Sequence, residues 1–128
     1  MPTRDRVQAF IALVEGAHYV EALQQFYHPD ATMQDNQQPP RLGLERLIAD
    51  ECATMARFRT MRTDKVTDLL IDGDKVMIRW RFTFTPAEGP PMAMEEITLR
   101  RWAATASPRS DSSTIRARPD RRPQADGS

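Results

Sequence analysis

KVMIRWRFTFT, residues 75–85, is the stretch that decides the fold. Its apolar side chains alternate with polar or flexible ones: Val76, Ile78, Trp80, Phe82 and Phe84. That period is typical of a β-strand with one buried face. The Asp-Gly-Asp at residues 72–74 predicts a hairpin turn before it, and further strands are predicted over residues 58–70 and 92–102.

Three helical patterns precede these strands. The first ends at about Glu15, the second covers residues 18–26 and the third covers residues 42–55, with a short strand predicted over residues 31–35 between the last two. In the third helix the positions expected to face inward are Leu44, Leu47, Ile48, Cys52 and Met55. Helices followed by consecutive strands predict an α+β domain, with about three N-terminal helices packed on one face of an antiparallel sheet.

Composition excludes several function classes. The 128 residues carry 18 basic and 18 acidic side chains, so no basic surface for nucleic acid is predicted. No stretch has the length and apolarity of a membrane span or of a signal peptide, and we expect a cytoplasmic protein. His18 and His28 lack the spacing of a metal site, and no phosphate-binding motif occurs, so neither a metal nor a cofactor is predicted.

The segment after Trp102 differs from everything before it. Residues 103–128 read AATASPRSDSSTIRARPDRRPQADGS and contain no Phe, Tyr, Trp, Leu, Val or Met. Such a segment cannot bury enough apolar surface to offset the entropy of ordering it. We therefore expect a domain over residues 1–102 that lacks its last strand, followed by a polar tail whose arginines are solvated.

Two origins of this tail are open. It is a native disordered segment, or it results from the loss of one base just after the codon of Trp102. Permitted codons for residues 103–116, read one frame over, spell Gly-Asp-Arg-Ile-Ala-Glu-Glu-Arg-Phe-Phe-Tyr-Asp-Pro. Because the third base of most codons is free, other shifted translations are also permitted. A TCN serine codon, however, places its T in the middle of the shifted codon, and an NTC codon encodes only Phe, Leu, Ile or Val. The serine-rich stretch therefore conceals a hydrophobic strand after a turn.

The order of elements and the segment FYHPDATMQD, residues 26–35, resemble the NTF2-like superfamily, in particular its SnoaL-like and ketosteroid-isomerase-like branch. Asp30, Ala31 and Asp35 match the D-A-x-x-x-D part of that branch's F-x-x-D-A-x-x-x-D pattern, and Phe26 corresponds to its Phe with one additional residue before Asp30. Gly43 matches the glycine before its third helix. The resemblance covers residues 4–102. It implies an NTF2-like, or cystatin-like, cone with an apolar pocket. It also implies binding of a small, largely apolar molecule, and often a homodimer.

Asp35 is the leading catalytic candidate, because in the isomerases of this branch the matching aspartate is the general base. A base of this kind needs a pocket that holds the substrate and tunes its pKa. The alternative is an aspartate at a strand end that hydrogen-bonds the backbone of the following loop.

The resemblance also gives a reason against a true ketosteroid isomerase. Those enzymes pair the base with an oxyanion hole of a Tyr and a protonated Asp, and the matching positions here fall at Ile11 and Thr98. Glu96 is expected to share a strand face with Thr98 and to reach the cavity, where it would divide acid and base roles with Asp35. The alternative is that Glu95 and Glu96 are a solvated strand start.

The aromatic face of residues 78–84 is either core or pocket lining, since one sheet face supplies both in this fold. The residues predicted to contact a ligand are Ile11, Tyr19, Phe58, Ile78, Trp80, Phe82, Met94 and Thr98. A buried Trp80 needs an indole partner, which Thr or Glu on the next strand would supply.

Three hypotheses remain open on this evidence. The chain is a cofactor-free isomerase, cyclase or dehydratase with Asp35 as base, a non-catalytic ligand-binding or dimerisation module, or a damaged product without function.

Overall fold

The computed structural model describes residues 3–102 and 111–117 as three helices on one face of a curled sheet. The helices are α1 (Arg4–Glu15), α2 (Tyr19–Phe26) and α3 (Leu44–Arg57). The strands are β1 (Tyr27–Asp35), β2 (Arg41–Leu42), β3 (Phe58–Thr63), β4 (Leu69–Asp72), β5 (Lys75–Pro86), β6 (Met92–Trp102) and β7 (Asp111–Ala117). The sheet order is β2-β1-β7-β6-β5-β3, and β4 also pairs with β5. The predicted α+β cone is confirmed.

The sheet is mixed rather than wholly antiparallel. Strands β3, β5, β6 and β7 pair antiparallel in that order, whereas β7 runs parallel to β1. The parallel register places Asp35 directly beside Arg116.

The core lies between α1, α2 and the inner face of β5 and β6. The alternation in β5 is confirmed, because Val76, Ile78 and Trp80 are at most 1% exposed. Phe10 of α1 packs edge-on against Trp80, with the ring centroids 6.2 Å apart, and makes a similar contact with Trp102 at 6.4 Å. Edge-to-face pairs of this kind stabilise a core beyond the burial of their area.

Local chemistry sets the helix ends that position this core. Thr3 caps α1, because its Oγ1 accepts a hydrogen bond from the backbone N–H of Arg6 at 3.1 Å. Gly43 precedes α3 with φ of +92°, a conformation that an L side chain rarely adopts. This glycine lets the chain turn from β2 directly into α3.

Two predicted elements differ in detail. The strand predicted over residues 58–70 is two strands, because residues 64–68 are irregular between β3 and β4, and both strands pair with β5. In α3, Leu44 and Leu47 are buried, but Cys52 and Met55 are exposed, so their predicted inward position is wrong. In the second half of α3 the face that lines the pocket carries Asp50, Glu51 and Thr54, so Cys52 and Met55 lie on a different face of the helix.

The expectation that no strand follows Trp102 is wrong for residues 111–117. Strand β7 lies inside the sheet between β1 and β6. Backbone hydrogen bonds to two neighbours stabilise such a strand whatever its side chains are, and composition does not reveal them. The rest of the predicted tail, residues 103–110 and 118–128, lies outside the described residues. The reading-frame hypothesis stays a prediction about the coding DNA.

Candidate functional site

A pocket of about 290 Å³ lies between the inner face of the sheet and helices α2 and α3. Its apolar lining comprises Tyr19, Leu23, Met33, Leu47, Phe58, Met61, Phe82, Phe84 and Met94. Its polar lining comprises Asp35, Arg41, Asp50, Glu51, Thr54, Arg57, Glu96 and Arg116. An apolar surface with convergent polar groups is the usual form of a small-molecule site, and here polar residues make up nearly half of the lining.

The apolar side of the pocket is built on a ladder of aromatic rings. Trp80, Phe82 and Phe84 follow one another on the inner face of β5 with ring centroids 5.9 and 5.8 Å apart, and Phe58 of β3 continues the stack at 5.0 Å. The planes of neighbouring rings differ by 16 to 27°. Alternation along β5 and its pairing with β3 therefore place four nearly parallel aromatic rings in one row.

Asp35 lies at the opposite, charged side. Its Oδ1 accepts a hydrogen bond from Arg116 Nε at 2.5 Å, and its Oδ2 accepts one from Arg116 Nη2 at 2.9 Å. Arg41 Nη2 donates to the same Oδ2 at 3.2 Å. The parallel register of β1 with β7 produces the two-point pair, a geometry that suits guanidinium and carboxylate groups.

Glu96 completes this charged cluster. It is 4% exposed and lines the same pocket as Asp35. Burial by itself would lower the pKa of Arg116, but the negative charges of Glu96 and Asp35 outweigh it, and the pKa of this guanidinium is raised. The Arg116 cation therefore interacts with two carboxylates, and Arg41 binds one of them, Asp35.

A row of ion pairs joins this cluster to α3. Arg41 Nη1 donates to Asp50 Oδ2 at 2.9 Å while its Nη2 holds Asp35, so one arginine links the end of β1 to α3. Thr54 and Arg57 extend the polar side along the same helix. Across the pocket, burial raises the pKa of Tyr19, whose hydroxyl lies 2.8 Å from Thr63 Oγ1.

A smaller cavity of about 60 Å³, here called the annex, shares Glu51, Glu96, Arg116 and part of the apolar lining with the main pocket. Its remaining lining includes Phe10, Tyr27, Trp80 and Arg100. Arg100 Nη1 donates to Asp111 Oδ2 at 3.0 Å and also contacts the hydroxyls of Tyr27 and Thr114. The annex therefore ends on a buried ion pair.

The structure distributes the predicted site residues over several places. Asp35, Glu96, Tyr19, Phe58, Phe82 and Met94 line the main pocket, and Trp80 lines the annex. Three residues predicted to contact a ligand lie in neither cavity: Ile11, Ile78 and Thr98.

Each of those three has a structural reason. Ile11 is on the side of α1 that faces a separate groove beside residues 65–67. Ile78 is fully buried in the core. Thr98 is also buried, and its Oγ1 accepts a hydrogen bond from Trp80 Nε1 at 3.0 Å, so the predicted indole partner on the next strand is confirmed.

The sequence did not predict several of the residues that line the pocket. Arg116 was expected in a solvated tail, and Arg41 lies outside every element that the sequence predicted. Asp50, Thr54 and Arg57 recur at helical spacing on α3, and that polar stripe was a usable indication. Nothing in the local sequence indicates the position of Arg116, because only the pairing of β7 places it in the pocket.

Comparison with known proteins assigns the family. The SnoaL-like domain family matches residues 7–107, and the chain belongs to it. The match ends before β7 begins. None of the curated proteins matches the chain.

Solved structures with the same fold are numerous, and their sequences are distant from this one. A candidate SnoaL-like polyketide cyclase from Jannaschia sp. CCS1 superposes with a TM-score of 0.72 at 14% identity, covering 91% of this chain and 87% of the other. A hypothetical protein with a ketosteroid-isomerase-like fold from Catenulispora acidiphila DSM 44928, in complex with trimethylamine, gives 0.69 at 21% identity over 90% and 85%. TerC, co-crystallised with polyporic acid, gives 0.68 at 13% identity over 88% and 87%.

Two features are absent from the part of the chain that the structure describes. None of the three helices is long and apolar enough to cross a membrane. Within residues 3–102 and 111–117, no group of three or more His, Cys, Asp or Glu side chains is placed to hold a metal ion.

Proposed function

We propose that the chain binds a small, largely apolar molecule in the main pocket. The observation that carries this proposal is the contrast between its two sides, an aromatic ladder and a charged cluster around Asp35. Aromatic rings and apolar side chains contact the apolar body of the ligand, and the cluster orients a polar group of the ligand.

The size of the pocket limits the ligand. About 290 Å³ is the space of roughly ten water molecules at about 30 Å³ each, which is near the lower end for ligand sites. A molecule of one or two rings fits this volume, whereas a cofactor the size of a dinucleotide does not.

A second candidate function is cofactor-free proton transfer at carbon, as an isomerase, cyclase or dehydratase performs it. Two carboxylates, Asp35 and Glu96, line one pocket and share Arg116 between them. Asp35 would take the proton and Glu96 would serve as the partner acid. The binding role stands first because three guanidinium hydrogen bonds already engage the oxygens of Asp35.

Deuterium exchange separates the two functions without knowledge of the natural ligand. 2-Tetralone is a two-ring ketone with acidic C–H groups, and NMR in D₂O measures both its binding and its exchange at carbon. Exchange above the buffer rate that disappears in Asp35→Asn, with binding retained, would establish catalysis with Asp35 as base. Binding without such exchange would establish the binding role, and no binding by the folded protein would contradict both.

We further propose that the chain forms a homodimer through the outer face of its sheet. Four exposed apolar residues form one row across neighbouring strands: Leu70, Met77, Leu99 and Ile115. A continuous exposed apolar patch usually marks an interface. Light scattering should show a dimer for the wild type and a monomer for Leu99→Lys. Ala93→Lys on the same strand, outside the row, is the matched control and should remain dimeric.

A further inference from the structure

We propose that the annex is a subsite for one hydrogen-bond-accepting oxygen of a neutral ligand, with Arg100 as the donor. This inference rests on the proposed binding function and adds the orientation of the ligand. The apolar body would lie on the aromatic ladder, and an oxygen atom would enter the annex.

The first observation is an unused donor. The Nε–H of Arg100 is buried and has no hydrogen-bond partner among the described residues, while Nη1 contacts Tyr27, Thr114 and Asp111. Arg100 is 5% exposed and lines the annex. A buried donor without a partner is costly, so an acceptor in the annex would bind with a gain that a solvated donor cannot give.

The second observation is that this side chain is held in place. Its guanidinium carbon lies 4.2 Å from the ring centroid of Phe10 and 5.9 Å from that of Trp80. Asp111 Oδ2 fixes Nη1 at 3.0 Å. Arg100 is therefore positioned before a ligand arrives, which lowers the entropic cost of recognition.

The charges around the annex select a neutral acceptor. Asp111 already balances Arg100, and Asp35 already pairs with Arg116. Glu51 and Glu96 also line the annex and would repel a carboxylate. A ketone, ether or hydroxyl oxygen meets the donor without this repulsion.

The volume of the annex restricts the group to a small one. About 60 Å³ is the space of roughly two water molecules at about 30 Å³ each. A carbonyl group fits, while a second ring must remain in the main pocket.

A matched pair of probes tests the proposal. Acetophenone and α-methylstyrene have the same shape and differ only by C=O against C=CH₂. Their dissociation constants are measured by NMR titration of the folded full chain. The indole N–H signal of Trp80 reports the annex, and that of Trp102, which lines neither cavity, is the internal reference. We expect acetophenone to bind about tenfold more tightly, as one restored buried hydrogen bond allows.

The variants remove the donor without leaving a buried charge. Arg100→Met alone would leave the Asp111 carboxylate buried without its cation. The test therefore combines Arg100→Met with Asp111→Leu, which replaces both partners with apolar groups. This double variant should bind both probes with nearly equal affinity. Thr114→Val, which touches the same cluster but does not line the annex, should keep the preference for acetophenone.

Each result distinguishes the inference from the function on which it rests. Equal affinities for the two probes in the wild type, as when water alone occupies the annex, would overturn the inference and leave the proposed binding function intact. A preference that survives in the double variant would also overturn it. If neither probe binds to the folded wild type, the proposed binding function itself fails.

Discussion

Strands β5 and β7 lie two positions apart in one sheet, yet their inner faces have opposite character. The inner face of β5 carries Val76, Ile78 and Trp80, all fully or almost fully buried and apolar. The inner face of β7 buries Asp111 and Thr114. Strand β5 is stabilised by burial of apolar area, whereas β7 depends on backbone pairing and on a polar network with Arg100 and Tyr27.

This difference shows where the sequence and the fold agree and where they conflict. In β5 the pattern, the burial and the ring packing support the same conformation. In β7 the polar network leaves Arg100 Nε and Asp111 Oδ1 without partners among the described residues. Partly satisfied buried networks are costly, so β7 is the weaker side of the sheet.

The largest expected effect is on β5. Trp80→Ala removes a side chain that is 1% exposed and is stacked on Phe82 and packed against Phe10, so it should lower the free energy of unfolding by about 4 kcal/mol. Urea denaturation followed by circular dichroism measures the loss. Lys75→Ala, on the same strand but exposed, should stay within about 0.5 kcal/mol. A similar loss in both variants would contradict the role of the ladder.

Restoring the alternative reading frame would remove the difference in apolar character between the inner faces of β5 and β7. One base inserted after the codon of Trp102 should replace the polar segment by one containing Phe-Phe-Tyr, and its buried rings should add about 3 kcal/mol. The thermal midpoint should rise by roughly 10 °C or more, with less aggregation. Equal midpoints for the two chains would refute this prediction. A restored chain with both phenylalanines changed to serine is the control and should lose the gain.

The pH dependence of stability should come from β7. Burial raises the pKa of Asp111 from 3.8 to about 6, although Arg100 partly offsets it. The folded protein then holds this proton more tightly than the unfolded chain does. The contribution of Asp111 to stability is therefore fully present below about pH 4 and is lost as pH rises through about 6. The change is about 3 kcal/mol at most.

The measurement is a comparison of wild type with Asp111→Asn in urea, at intervals from pH 4 to pH 7. The free energy of unfolding of the wild type should fall relative to that of the variant across this window. A difference that does not vary with pH would show that Asp111 does not titrate there.

The smallest expected effect concerns one hydroxyl of β7. Thr114 Oγ1 lies 3.1 Å from both the Tyr27 hydroxyl and Asp111 Oδ2. Thr114→Val keeps the shape and removes these bonds, so it should cost about 1 kcal/mol. Thr67→Val makes the same change at an exposed loop position and should have no measurable effect in the same denaturation assay. Equal values would mean that the network does not stabilise β7.

The sequence predicts most of the fold for identifiable reasons. Period-two alternation located β5 and β6, and the spacing of apolar residues located the three helices. Asp35, Glu96, Tyr19, Phe58, Phe82 and Met94 were expected in the site, and all line the main pocket. These residues are on strongly patterned elements or on the segment that carries the family resemblance.

The site predictions that were wrong also have particular causes. Ile11 and Thr98 were placed in the site through positions matched to a distant family, and small rotations of an element move such positions into the core or onto another face. Arg116 was missed because a polar segment shows no periodicity that indicates a strand. Cys52 was expected inside because its helical spacing matches that of Ile48 and Met55, whereas the face of α3 that lines the pocket carries Asp50, Glu51 and Thr54.

The sequence by itself determined the α+β class, the order of the helices and most strands, and the apolar face of β5, because these follow from local periodicity and from capping and turn residues. Only the tertiary structure decided that β7 inserts between β1 and β6 and joins Arg116 to Asp35. It also decided that Arg100 lines the annex with a donor that has no partner among the described residues. Pairing between strands far apart in the chain depends on backbone hydrogen bonds that every residue type offers, so the amino-acid pattern does not specify it.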